Sequence, residues 1–95
     1  MVESRVRQEA RLVAEARIAL RANRTARAAA LLAQVERGFP EGVLRQEREA
    51  LAIETLTRTG QPRSARERGE RFLAAYPGSL HAARVRALLR ALGDR

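Results

Sequence analysis

Along residues 3–22, apolar side chains return every three or four positions, the spacing of one helix face. Val2, Val6, Ala10, Val13 and Leu20 form the stripe, and Leu12, Ala16 and Ala19 widen it. Glu3 and Glu9 fall early and Arg17 and Arg21 fall late, as the helix dipole prefers. Asn23 marks the predicted end, because it tolerates the left-handed backbone of a C-terminal cap. Thr25 then reads as the N-cap of a second helix over about 25–37. Its inner face is Ala28, Leu31, Leu32 and Val35. Ala28 is placed at a helix crossing, where a small side chain lets two backbones approach closely. Gly38 supplies the stop, and Pro40 opens the next helix or the loop before it.

A third helix is predicted over 41–59, with Leu44, Leu51, Ile53 and Leu56 in a stripe broken by Glu47. Gly60 ends it, and Pro62 takes the first position of a fourth helix over 62–76. That helix offers Ala65, Phe72, Leu73 and Tyr76, with Gly69 facing the same way. Glycine weakens a helix interior, so Gly69 reads either as a close-packing site or as a tolerated weakness. Ser79 is the expected cap of a fifth helix over 80–92. Leu80, Ala83, Val85, Ala87, Leu88, Leu89 and Leu92 make its broad apolar side, opposite Arg84, Arg86 and Arg90, and Gly93 and Asp94 end it. The fold class is therefore all-α: two antiparallel helical hairpins plus a C-terminal fifth helix. Glycine and proline stops at short intervals argue against a continuous heptad coiled coil.

The chain also repeats itself. NRTARAAALLAQVERGFPEG at 23–42 is matched by GQPRSARERGERFLAAYPGS at 60–79. Ala28 and Ala65, Val35 and Phe72, Phe39 and Tyr76, and Pro40 and Pro77 are each 37 residues apart. A fixed offset of that size points to stacked helix–turn–helix units. The small residue followed twelve positions later by proline (Ala28 with Pro40, Ala65 with Pro77) resembles the tetratricopeptide repeat. Gly60 stands at that family's turn glycine, with Asn23 in the first copy, and Ala16 at its small mid-helix residue, with Ile53 in the second copy. Leu12 and Glu49 stand where the family carries an early aromatic, and 37 exceeds its usual period of 34. The stretch ERFLAAYPGSLHAARVRALL is similar to repeats of bacterial cell-envelope proteins, among them outer-membrane assembly lipoproteins and Tol–Pal accessory proteins. The resemblance implies a right-handed α-solenoid fragment that binds a protein or peptide and catalyses nothing. It also implies a periplasmic or envelope setting if the segment belongs to a larger envelope protein, and a cytoplasmic one otherwise.

Ninety-five residues make one domain with a thin core. Alanine abundance and only 3% aromatic residues suit close-packed helices. The net charge is +8, and every basic residue is arginine. Two readings stand: a codon bias toward Arg and Ala, or an acidic partner, either nucleic acid or an anionic membrane surface. The arginines are dispersed among eleven acids, with pairs such as Glu67 and Arg71 at helical spacing, and form no basic block. Nucleic-acid binding is accordingly the least favoured of the binding readings. Without cysteine there is no disulfide or thiol chemistry. No apolar run approaches a membrane span, and the N-terminus has no signal-peptide core. Membrane insertion by this segment is not expected, and the segment reads as cytoplasmic or as a piece of a longer protein.

Candidates for chemistry are few. His81 has no second histidine or cysteine to share a metal with and reads as a helix-start histidine. Ser4, Ser64 and Ser79 lack a nucleophile context. Glu47 and Glu54, about 10 Å apart along one helix, read as a solvated or groove-lining face, and Gly38 and Gly42 as helix punctuation. No cofactor, metal or catalytic residue is expected. The resemblance puts the first helix of each repeat on a concave groove. It would be lined by Val13, Arg17, Leu20 and Arg21, by Glu47, Ala50, Glu54, Thr57 and Arg58, and by Arg84, Ala87 and Ala91. The Lys/Asn pair with which chaperone-binding members hold a terminal carboxylate is not reproduced. Arg17, Arg21, Arg58 and Arg84 either receive acidic side chains of a partner or pair with nearby glutamates. An alternative role is homo-oligomerisation through the end helices, with Val85, Leu89 and Leu92 exposed if the fourth helix fails to cover them.

Overall fold

The computed structural model describes residues 2–93, and side chains from residue 4 onward. The stripe position of Val2, the dipole role of Glu3 and the stop at Asp94 lie outside the described groups. The described residues form five helices: α1 (Val2–Arg21), α2 (Thr25–Gly38), α3 (Arg45–Arg58), α4 (Pro62–Ala75) and α5 (Ala82–Leu92). The all-α expectation holds. Short links at 22–24 and at 59–61 fold α1 against α2 and α3 against α4 as antiparallel hairpins. α3 touches both α1 and α5, so these three helices form one row. α2 packs on α1 and α3, and α4 on α3 and α5.

The stops work largely as their chemistry dictates. Asn23 adopts φ 61° and Gly60 φ 71°, the left-handed turns that release the chain from α1 and α3. Pro62 opens α4. Thr25 is already inside α2, whose cap residue Arg24 makes no side-chain cap bond, so the expected Thr25 cap is absent. Helix α3 begins at Arg45, four residues later than expected, because 39–44 form a turn. Helix α5 begins at Ala82; the Ser79 hydroxyl instead accepts the His81 N–H at 3.0 Å, shaping the turn before it.

The core has two lobes. Ala16, Ala19, Leu20, Ala28, Leu31, Leu32 and Ala52 make the first, and Ala28 is fully buried, as its place at a helix crossing requires. Ala50, Ile53, Phe72 and Val85 make the second, with Phe72 and Tyr76 ring centroids 5.2 Å apart. A Cβ on Gly69 would stand 2.8 Å from a methyl of Leu89, so the close-packing reading of Gly69 is the right one. Several apolar assignments are corrected. Val6 and Ala10 are exposed while Glu9, one turn before Val13, is buried. Leu80 is 88% exposed, because it precedes α5. Ala83 and Ala87 are exposed as well, leaving α5 a narrower apolar side. The central helix is buried on several sides, including at Arg48, Glu54 and Thr55. No ion pair forms between Glu67 and Arg71; helical-spacing pairs occur instead at Glu41–Arg45 and Glu54–Arg58.

Candidate functional site

A cleft of about 400 Å³ lies along the α1–α3–α5 row. Of the expected groove residues, Arg17, Leu20, Arg21, Glu47, Ala50, Glu54, Arg58 and Arg84 line it together. Leu51 and His81 line it too, and neither was assigned there from sequence. Val13 does not: it is fully buried, because its place in the α1 stripe turns it into the core. Thr57, Ala87 and Ala91 do not line it either, and the Thr57 hydroxyl donates back to the Glu54 carbonyl at 2.7 Å.

The charged groups form an ordered ladder. The Arg17 guanidinium donates from Nε and Nη2 to Glu47 Oε2 at 2.8 and 2.5 Å, clipping α1 to α3. The Arg84 guanidinium donates from Nε and Nη2 to Glu54 Oε1, clipping α5 to α3. Arg58 donates to Glu54 Oε2 at 2.6 Å and to the Leu20 carbonyl at 2.6 Å, closing the last turn of α1. In the 37-residue register Arg17 matches Glu54, and Glu47 matches Arg84. One inter-helix contact is thus made twice with its charges exchanged. The outer positions of that register are Ala10 and Ala91, so the charge alternation stops at α1 and α5. Glu54 is 4% exposed and held by two arginines, so it is no solvated carboxylate. The Arg21 side chain is exposed and makes no hydrogen bond or ion pair among the described residues.

A second polar cluster lies away from the cleft. Glu9 is 2% exposed, and its carboxylate accepts the Val43 and Leu44 N–H groups at 3.1 and 3.0 Å. It therefore caps the approach to α3 from another helix. Gly42 is more than punctuation: any side chain there would collide with the Glu9 carboxylate. Beside it, the Arg5 guanidinium donates to the Gly38 carbonyl at 2.7 Å and lies 4.8 Å from the Phe39 ring centroid.

A third set joins α3 to α4. Arg68 donates to both Glu49 oxygens at 2.9 Å and reaches Glu36 at 3.5 Å. Burial, the largest single influence, pulls the Glu49 carboxyl up, but the hydrogen bond and charge of Arg68, with those of Arg48, outweigh it and hold Glu49 below its ordinary range. The same bond raises Arg68. Arg48, 3% exposed, donates to the Phe39 carbonyl at 3.0 Å, while its buried Nε has no partner among the described residues.

On the end helix, Val85 is fully buried between α3 and α4 residues, which removes it from any exposed interface. Leu89 packs over Gly69, and Leu92 is half-buried. No helix among the described residues is long and apolar enough to cross a membrane. No group of three or more His, Cys, Asp or Glu among them could hold a metal ion. Compared with known proteins, the chain matches no family model, no curated protein and no solved structure.

Proposed function

We propose that this chain is a non-catalytic interaction scaffold, a tetratricopeptide-like array whose α1–α3–α5 row binds a protein or peptide segment. The observation that carries the reading is the cleft itself, walled by three helices that are not consecutive in sequence. The 37-residue register supports it, because the register sets α1 and α3 at equivalent places in successive hairpins. Such a row presents a continuous surface on which an extended or helical segment lies across several elements. The Arg–Glu contacts also support it, since they fix the lining side chains before a ligand arrives. The bacterial envelope setting belongs to this proposal as its context.

A charge-blind selection tests it. Random displayed peptides are panned on the folded chain, and binders are mapped by backbone amide shifts. Perturbations at Arg17, Arg21, Glu47, Ala50 and Glu54 are expected. Perturbations confined to α2 and α4 would remove the cleft from consideration.

A further inference from the structure

Four arginines line the cleft against two glutamates, leaving a surplus of two positive charges. Both glutamates already have partners. Glu47 accepts from Arg17, and Glu54 accepts from Arg58 and Arg84. A basic ligand would therefore meet no available carboxylate. The arginines differ from each other in what they still offer. Arg58 uses one Nη on Glu54 and the other on the Leu20 carbonyl. Arg84 uses Nε and Nη2 on Glu54, and its side chain is 57% exposed with Nη1 left over. Arg21 uses nothing among the described residues. In the repeat register Arg21 matches Arg58, which spends one of its nitrogens on the Leu20 carbonyl.

We infer that the cleft recognises an acidic peptide segment whose carboxylate side chains engage Arg21 on the α1 side and Arg84 on the α5 side. The inference rests on the cleft reading above and adds the chemistry of its ligand. Guanidinium–carboxylate pairing in a part-buried cleft is strong and directional. The two arginines flank α3, and two helix-to-helix steps of about 8–10 Å each separate their backbones. An extended chain at about 3.3 Å per residue covers that gap in roughly six residues. A nucleic acid is a poorer fit, because the floor presents Glu47 and Glu54 to a phosphate backbone and no Phe, Tyr or Trp ring lines the cleft for base stacking, His81 being its one aromatic side chain.

The probes are amidated, fluorescein-labelled Ser/Gly dodecapeptides. One carries two Glu six residues apart, a second carries Gln at both places, and single-stranded oligo-U is the third probe. Binding is followed by anisotropy and by amide shifts on the full chain. The Glu peptide should bind at least tenfold more tightly than the Gln peptide, with shifts at Arg21 and Arg84, and should weaken as salt rises. Arg21→Glu should weaken it at least fivefold at unchanged melting temperature, since that side chain touches no described partner. Arg84→Gln should weaken it as well. Equal binding of the two peptides, no binding of the Glu peptide, or full binding by Arg21→Glu would overturn the inference. Oligo-U binding more tightly at the same residues would overturn it in favour of nucleic acid. The charge-blind selection stays a separate measure of the cleft: apolar or basic binders mapping to α1, α3 and α5 would keep the cleft and discard its acidic ligand.

Discussion

Two buried carboxylates stand on two helices of one row, and they are satisfied in opposite ways. Glu9 on α1 is 2% exposed and bound by two backbone N–H groups. Glu54 on α3 is 4% exposed and bound by two guanidinium groups. The first joins a side chain to a turn and leaves nothing facing outward. The second draws cations from two helices to one point, and those cations remain part-exposed, at 36% for Arg58 and 57% for Arg84. A carboxylate capped by amides serves the fold. A carboxylate capped by arginines also builds a cationic surface, and the proposed recognition rests on that Glu54 region.

The largest expected effect breaks that contrast at the Glu9 end. Glu9→Ala takes the acceptor away from the part-buried Val43 and Leu44 N–H groups, at a cost of about 3 kcal/mol. At about 4–8 °C per kcal/mol for a domain this size, the melting temperature should fall by more than about 10 °C. Gly42→Ala should reproduce much of the loss, about 2 kcal/mol, by pushing a methyl into the carboxylate. Neither change touches the cleft, so peptide affinity measured below the transition should stay within twofold. Thermal melts that show Glu9→Ala within about 0.5 kcal/mol of the parent would end the distinction drawn here.

Glu54→Gln should do the reverse. Stability should fall by only about 1–2 kcal/mol, because both arginines can turn to water. Affinity for an acidic peptide should rise, since the surplus charge in the cleft grows from two to three. Urea melts and anisotropy on the same samples separate the two effects. A weaker acidic ligand in Glu54→Gln would mean that the glutamate positions its arginines more than it opposes the ligand.

Acid sharpens the comparison through a third carboxylate. Glu49 is held below the ordinary range, so its contribution to stability is present above the unfolded value of about 4.3 and is lost as pH falls through the folded one. Arg68 is raised, so its contribution is fully present across the acid and neutral range and does not titrate in acid. Urea midpoints should therefore hold steady from neutral pH and decline below about pH 4.3. Arg68→Met should be less stable at pH 7, by about 1 kcal/mol, and should show a shallower acid decline. An acid limb unchanged by Arg68→Met would place the titrating group elsewhere.

Helix number and order were legible because stops at Asn23, Gly60 and Pro62 have one-residue causes. Much of the cleft lining was legible because the 37-residue offset sets α1 and α3 in register. Glu9 was missed because an acid near a helix start has an ordinary explanation in the dipole. Its partners lie 34 and 35 residues away and are backbone groups, which carry no side-chain signal. Val13 and Val85 were misassigned to surfaces for a related reason: periodicity names an apolar face without saying what covers it. The exchanged pairs Arg17–Glu47 and Glu54–Arg84 were readable from the offset, as matched positions of opposite charge. Periodicity reading passes over them because it scores charges as solvent-facing.

The smallest effect is expected where α4 meets α5. Gly69→Ala gains about 1 kcal/mol of helix propensity. It also sets a methyl at 2.8, 3.0 and 3.2 Å from Leu89 side-chain carbons, a clash that overpacking values put at about 1–3 kcal/mol. Leu89 is only half-buried and lies near the end of α5, so it can swing outward and the clash should fall at the low end. The net change should be a loss of about 0–1 kcal/mol. Leu89→Ala removes the colliding atoms, so in that background Gly69→Ala should become stabilising. The sign reversal in a double-mutant cycle is the measurement. Additive losses would mean that α4 and α5 do not approach at Gly69, and that the α5 wall, with Arg84 on it, is set by Val85 in the core and the Glu54 contact.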